Sequence, residues 1–548
     1  MSEPVDPVPL DDGAPAGSAA DATADPAEAA DTPGTPAARA EPVARRPAAP
    51  ASLRSRGSIA GNVLRTGTAI TLMFAILAVG AGYWQVVEAQ RLSTAADNPA
   101  VIAIARRALR GPITDRNDRW LARSERDANG EALREYRDDA LSHVLGYASR
   151  QYGIAGLERA YNAELIGLSS DGLGGLLSKF DTTPNEPLGL QTTLDLRLQR
   201  AAVAALGDDR GAVVMLDPST GEVLALASTP VYDANGIANP DTASETFNAL
   251  REDDSDPLLP RATLGRYVPG SVFKIVTAVA GLDSGRISPS TTFEEQPAAE
   301  EDGLLVEGFR IRDGHHPQTG DTALDLTGAT EASCNIWYAL AGLETGGDQL
   351  VDGAAEMGFG DPLPFDLPTA ISRVTNGDGG APGGFTDDVE LASASFGQGE
   401  TFVTPLQMAL VASTVANDGV LMTPHLVRAI TGEGPGTRTI DPSVWRRVLS
   451  GGDAQAIQAA MQEAVEGDLG KQFTAGAKVS GVPTAGKSGT AELGGKGEPH
   501  SWFIGFAPVD NPTVAIAVLV ERGGRGGERA APLAGTLMER YFELYGTP

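Results

Sequence analysis

The sequence predicts an α+β protein, an antiparallel sheet with helices on both faces, preceded by a smaller α+β module and a single transmembrane helix. Three observations carry this expectation. Two pairs of β-rich apolar runs are each joined by a turn, GAVVMLDPSTGEVLALAS at 211–228 and SWFIGFAPVDNPTVAIAVLVE at 501–521. Helical spacing dominates the residues between them. A run without a single charge, Thr66 to Val87, stands well ahead of both. Strands first, helices in the middle, then strands and a helix imply a sheet with helices packed on its faces.

Taken in order, residues 1–60 are dominated by Ala, Pro, Asp, Gly and Ser. Such a stretch buries too little apolar surface to offset its ordering entropy, so a disordered tail is expected. The segment 61–88 is read as a membrane anchor. The uncharged run of 22 residues reaches roughly 33 Å as a helix, enough to cross a hydrocarbon core of about 30 Å. Tyr83 and Trp84 sit where an interfacial aromatic anchor belongs. Arg45, Arg46, Arg54, Arg56 and Arg65 crowd the N-terminal flank, whereas Glu88 and Arg91 share the other. That bias leaves the tail cytoplasmic and everything after residue 88 outside. The long preface and the length of the run favour a retained anchor over a cleaved signal peptide.

Residues 89–200 are read as a modest α+β module carrying RRALRGPITDRNDRWLA (106–122) and YGIAGLERAYNAEL (152–165). Residues 201–548 form the larger domain. Its first run pair reads as a hairpin about the DPSTGE turn. SVFKIVTAVAGLDSG (271–285), TGATEASCNIWYALAGLE (327–344) and TPLQMALVASTVANDG (404–419) each read as one helix, and PLAGTLMERYFELYG (532–546) closes the chain as an amphipathic helix.

Composition excludes several classes. With 42 basic against 72 acidic residues, the net charge of −30 offers no broad surface for nucleic acid. Cys334 is the single cysteine, so no intramolecular disulfide and no cysteine-based metal cage can form. The five histidines lack metal-ligand spacing, and neither a metal nor a cofactor is expected.

Lysine is rare, with six residues in the chain against 36 arginines. One of the six, Lys274, follows Ser271 by three places in YVPGSVFK, at the head of an apolar helix. At that spacing both side chains share a helix face, so the amine can reach the hydroxyl. A serine hydroxyl needs a base before it is a good nucleophile, and a desolvated lysine can serve. The first helical turn also offers free N–H groups to a developing oxyanion. In isolation the ordinary reading is a Ser cap beside a snorkelling Lys. SCN (333–335) is the only S-x-N, read either as a polar loop between helices or as a second hydroxyl and an amide, Ser333 and Asn335, that relay a proton and hold the lysine. KSGTAE (487–492) holds the only K-[ST]-G and reads as an edge strand. There Lys487 and Thr490 can grip a carboxylate, and Gly489 lets a substrate backbone come close.

With each motif unique and in the order SxxK, SxN, K[ST]G, the chain from residue 89 onward resembles the class B penicillin-binding proteins, membrane-anchored peptidoglycan D,D-transpeptidases. RGPITDRNDRWLA and GLERAYNAEL resemble that class's N-terminal signatures, and FGQGETFVTPLQMA (396–409) and HSWFIGFAP (500–508) match its catalytic domain. The resemblance implies a β-lactamase/transpeptidase-like domain on a pedestal module. It implies Ser271 as nucleophile, Lys274 as base, Ser333 as proton relay and Asn335 as orienting amide. Lys487, Ser488, Gly489 and Thr490 bind substrate, and the N–H groups of Ser271 and Thr490 form the oxyanion hole. Implied partners are stem peptides ending in D-Ala-D-Ala, β-lactams and a polytopic membrane glycan polymerase. KSG stands for the commoner KTG, and Cys334 has no assigned role. The span between anchor and catalytic domain is too short for a glycosyltransferase, and no C-terminal module is expected after residue 520. The competing readings are an anchored serine β-lactamase and a non-catalytic β-lactam sensor or divisome scaffold.

Overall fold

The computed structural model describes residues 59–83, 109–126, 130–168, 186–313, 319–432, 437–495 and 497–547. The expected tail up to residue 58, the aromatic anchor Trp84 and the flanking Glu88 and Arg91 lie outside the described residues.

Helix α1 (Ile59–Gly82) contains an apolar stretch, Val63–Ala81, long enough to cross a membrane. Large side chains such as Phe74, Ile76 and Val79 are exposed along it.

The rest of the chain forms a second compact unit. In chain order it begins with the short strands β1 (Ile113–Thr114), β2 (Trp120–Arg126), β3 (Ala132–Tyr136) and β4 (Gly189–Thr192), then α2 (Leu196–Leu206). The hairpin strands β5 (Gly211–Leu216) and β6 (Val223–Thr229) follow. The helices α3 (Lys274–Asp283), α4 (Leu326–Ala332), α5 (Asn335–Thr345) and α6 (Pro405–Ala416) occupy the middle. Then come β7 (Val427–Thr431), β8 (Arg438–Thr439), α7 (Gly451–Glu466), the strands β9 (Ala485–Ala491), β10 (His500–Ala507) and β11 (Val514–Val520), and finally α8 (Ala530–Tyr545).

The principal sheet runs β9-β10-β11-β5-β6 and every neighbouring pair is antiparallel. Successive side chains on a strand point to opposite faces, and the two hydrophobic cores show that alternation. Val214, Ile504 and Ala517 face one core together with α3, α5 and α6. Val213, Phe503 and Val518 face the other, closed by α2 and α8. The expected class, an antiparallel sheet with helices on both faces, is the one observed, and both run pairs form hairpins.

A second sheet, β8-β7-β4-β1-β2-β3, joins early strands of the unit to strands from 427–439, because β7 pairs antiparallel with β4. The two N-terminal signature segments meet beneath it. The Glu158 carboxylate, fully buried, accepts from Arg110 Nε and Arg134 Nε at 2.6 Å each, and Arg110 also donates to Asn162 Oδ1 at 2.8 Å. A buried carboxylate between two guanidiniums is tolerable only because each charge is paired and hydrogen-bonded.

Two expected helices differ from the sequence reading. Residues 271–285 do not form one α-helix. Gly270–Phe273 is a 3-10 turn and the α-helix begins at Lys274. Residues 327–344 do not form one helix either. The chain breaks at Ser333, which adopts the left-handed conformation (φ 60°, ψ 35°), and a new helix starts at Asn335. Apolar periodicity runs through both segments, so neither break is visible as a change of period.

Candidate active site

The three motifs converge on the edge of the principal sheet. Ser271 lies on the 3-10 turn, half-buried, while Val272, Phe273, Ile275, Val276 and Val279 around it are fully buried. The turn is tied down on three sides. Tyr267 exchanges both backbone hydrogen bonds with Val403 at 2.9 Å. Trp502 Nε1 donates to Val268 O at 3.0 Å, and Gly270 N donates to Gly397 O at 2.9 Å.

Strand β9 is the sheet's edge and packs its Gly489–Ala491 stretch against this turn. Two glycines permit the contact. Gly270 has φ +57°, and a Cβ there would meet Thr490 O at 2.7 Å. A Cβ on Gly489 would meet Pro269 O at 2.9 Å. Sequence reasoning gave Gly489 to the approach of substrate. The structure fills that space with the serine turn itself.

Lys274 is fully buried, and its amine donates to Ser333 O (2.5 Å), Asn335 Oδ1 (2.8 Å) and Ser333 Oγ (3.3 Å). It also lies 5.5 Å from the centre of the Tyr338 ring. Lys487, equally buried, donates to Ser333 Oγ at 2.8 Å and to Ser488 O at 3.1 Å. The Ser333 hydroxyl thus bridges two buried amines. The left-handed Ser333 turn makes this possible, since it points both the carbonyl and the hydroxyl of one residue at Lys274. A non-glycine residue held in this conformation costs free energy and is commonly met at functional sites. Among the described residues the Ser271 hydroxyl has no hydrogen-bond partner. The Lys274 amine that the sequence directs at Ser271 is engaged by Ser333 and Asn335.

Burial lowers the Lys274 amine from its ordinary range to about 8, against an opposing pull from the Asp313 carboxylate. Lys487 is driven well below its ordinary value by burial and by the neighbouring Lys274, and Asp313 again opposes. Burial pushes the Cys334 thiol up, and this side chain serves locally, accepting from Trp337 N at 3.3 Å to cap α5. Of the other expected residues, Ser488 is buried with its carbonyl toward Lys487. Thr490 Oγ1 accepts from Gly526 N at 3.2 Å. Tyr338 and Asp313 were not anticipated. Tyr338 sits in an apolar helical run that reads as core, and Asp313 lies in a loop without periodicity. No group of three or more metal-ligating side chains occurs among the described residues.

An antiparallel sheet whose edge strand brings K-S-G against an S-x-x-K turn and an S-x-N break defines the class of penicillin-recognising enzymes. Known proteins agree. Residues 211–539 match the penicillin binding protein transpeptidase domain, and residues 110–179 match the penicillin binding protein A dimerisation domain. This chain belongs to the penicillin-binding protein transpeptidase family. It is 35% identical over 490 residues to the peptidoglycan D,D-transpeptidase PbpA of Mycolicibacterium smegmatis, covering 86% of this chain and 96% of that one. It is 32% identical to the Mycobacterium tuberculosis protein of the same name, covering 88% and 99%. Among solved structures, the imipenem acyl-enzyme complex of M. tuberculosis penicillin-binding protein A superposes with a TM-score of 0.70 at 32% identity, covering 80% of this chain and 99% of that one. The penicillin G acyl-enzyme complex gives 0.69, covering 79% and 100%.

Proposed function

We propose that the protein is a peptidoglycan D,D-transpeptidase that cross-links stem peptides through an acyl-enzyme on Ser271. The observation that supports this most is the convergence of two buried amines on Ser333, from the S-x-x-K helix and the K-S-G strand.

With Lys274 lowered to about 8, its amine loses its proton progressively as the pH rises from neutral into the mildly alkaline range. That amine takes the Ser271 proton as Oγ attacks the carbonyl of the penultimate D-Ala. The N–H groups of Ser271 and Thr490 receive the oxyanion. Lys487 and Thr490, with Ser488 and Gly489 shaping the strand, bind the terminal carboxylate. As the C–N bond breaks, the proton passes from Lys274 through Ser333 to the departing D-Ala amine, while Asn335 holds Lys274 and the substrate amide. The amine of a neighbouring stem peptide then attacks the ester. Its proton returns through Lys274 to Ser271, which leaves as the hydroxyl. β-Lactams acylate the same oxygen by ring opening, so no leaving group departs.

In this reading α1 is a single-pass anchor in the cell membrane, with residues 1–60 as a cytoplasmic tail and 61–88 as the membrane segment. Residues 89–200 form the pedestal, and the catalytic domain, 201–548, lies outside the cytoplasm. The arginine-rich N-terminal flank supports that orientation. A polytopic glycan polymerase supplying fresh strands is the partner this activity needs.

Fluorescent penicillin tests the proposal. A long-lived adduct that Ser271→Ala abolishes supports it. Rapid turnover of the adduct would indicate a β-lactamase instead, and absence of labelling would overturn it.

A further inference from the structure

The site holds two buried amines within reach of one hydroxyl, and burying like charges is costly unless something opposes them. Lys274 comes from α3 and Lys487 from β9, and both meet at Ser333. Around them stand Cys334 and Tyr338 from the α5 region. Behind Cys334 lies the Glu300 carboxylate, which accepts from Cys334 Sγ at 3.4 Å and from Gln296 Nε2. One more carboxylate reaches the Ser333–Asn335 break, that of Asp313, from the loop after the Leu304–Ile311 hairpin. Its Oδ2 accepts from the backbone N of Asn335 and, at 3.3 Å, of Ile336.

We infer that Asp313 is a positioning residue, whose carboxylate caps the first turn of α5 and supplies the negative charge against which Lys274 and Lys487 are set. The capping bond fixes the backbone of Asn335, the residue whose Oδ1 receives the Lys274 amine at 2.8 Å. A carboxylate at a helix N-terminus also satisfies N–H groups that have no partner within the helix. The charge thus sits at the residue that receives the Lys274 amine, and Lys274 and Lys487 share the Ser333 hydroxyl, so a carboxylate there favours the protonated form of both amines. Asp313 thereby couples two properties of the site, the placement of Asn335 and the protonation of the lysine pair. This inference rests on the function proposed above for Lys274 and Lys487.

The chain has only six lysines, so a lysine-labelled protein yields a sparse NMR spectrum in which the buried pair can be titrated without any substrate. Asp313→Asn keeps an acceptor for the cap and removes the charge. The buried-lysine midpoints should fall by about half a pH unit or more, and the acidic limb of penicillin acylation should move the same way. Asp313→Glu, which keeps the charge, should leave the midpoints near those of the parent. Asp313→Ser, a second uncharged cap, guards against a poorly folded Asn variant and should reproduce its shift. Unmoved midpoints in Asp313→Asn or Asp313→Ser would overturn the inference, as would failure of both to fold, because a neutral cap should suffice for the fold. The lysine titration is read even in protein that penicillin does not label, so failure of the proposed function is distinguished from failure of this inference.

Discussion

Lys487 Nζ donates to Ser333 Oγ at 2.8 Å, a single hydrogen bond that ties the edge strand β9 to the break between α4 and α5. The two residues are 154 positions apart, and their meeting closes the site. With the bonds from Lys274 to the same residue, it makes Ser333 a shared acceptor for the two buried amines.

Ser333→Ala removes the shared hydroxyl and leaves two buried amines without it. Penicillin acylation is expected to slow by about 10²-fold or more, within the range for a lost proton-transfer group. The Ser333 carbonyl still receives Lys274, so thermal melting should show a folded protein. Stopped-flow labelling beside calorimetry measures both.

Lys274→Met separates catalysis from stability. The folded-state pKa of Lys274 is about 8, below its ordinary 10.5. Between those values the unfolded chain binds more protons than the folded one, so this group makes stability rise with pH across that window. Below about pH 8 the full cost of burying the amine is present, of the order of 3 kcal/mol. At pH 7 the Met variant should therefore melt at or above the parent temperature, with its advantage shrinking as the pH rises toward 10.5, while acylation is lost. A variant clearly less stable than the parent at pH 7 would contradict the burial account.

The wild-type acylation rate should climb as the pH rises through about 8, following deprotonation of Lys274. A rate that is flat from pH 6 to 10 would exclude Lys274 as the base.

Gly270→Ala places a Cβ 2.7 Å from Thr490 O at a residue with φ +57°. Both strain and the clash separate the serine turn from β9. A destabilisation of about 1 kcal/mol or more is expected, with slower acylation, measured by denaturant melts and penicillin labelling.

Glu158→Ala leaves the buried guanidiniums of Arg110 and Arg134 without their carboxylate. A loss of about 3–5 kcal/mol is expected, as for removal of one partner from a buried ion network. The site itself contains none of these residues, so whatever protein remains folded should still be labelled at Ser271.

Much of this architecture is legible in the sequence, for identifiable reasons. The hairpins of the principal sheet announce themselves because strong β-formers flank DPSTGE and DNP turns. The site residues stand out through the rarity of lysine, since only a residue whose pKa can be lowered serves as a base where arginine cannot. Four features stayed hidden. The 3-10 turn at Ser271 and the left-handed Ser333 are set by tertiary contacts, with Gly397, Val403 and the lysine amines, that leave the local apolar period intact. Asp313 reaches the site from a loop whose sequence carries no periodic signal. The close contact between Gly489 and Pro269 is a packing fact, which a glycine in a strand hints at without naming its neighbour.

The most direct test locates the acyl group. Trypsin cuts after Arg266 and Lys274, so it releases YVPGSVFK, residues 267–274, as one peptide. After treatment with penicillin G, mass spectrometry should find that peptide heavier by one penicilloyl group, with fragment ions placing it on Ser271. An adduct on any other peptide, or none on this one, would contradict the assignment of Ser271 as the nucleophile.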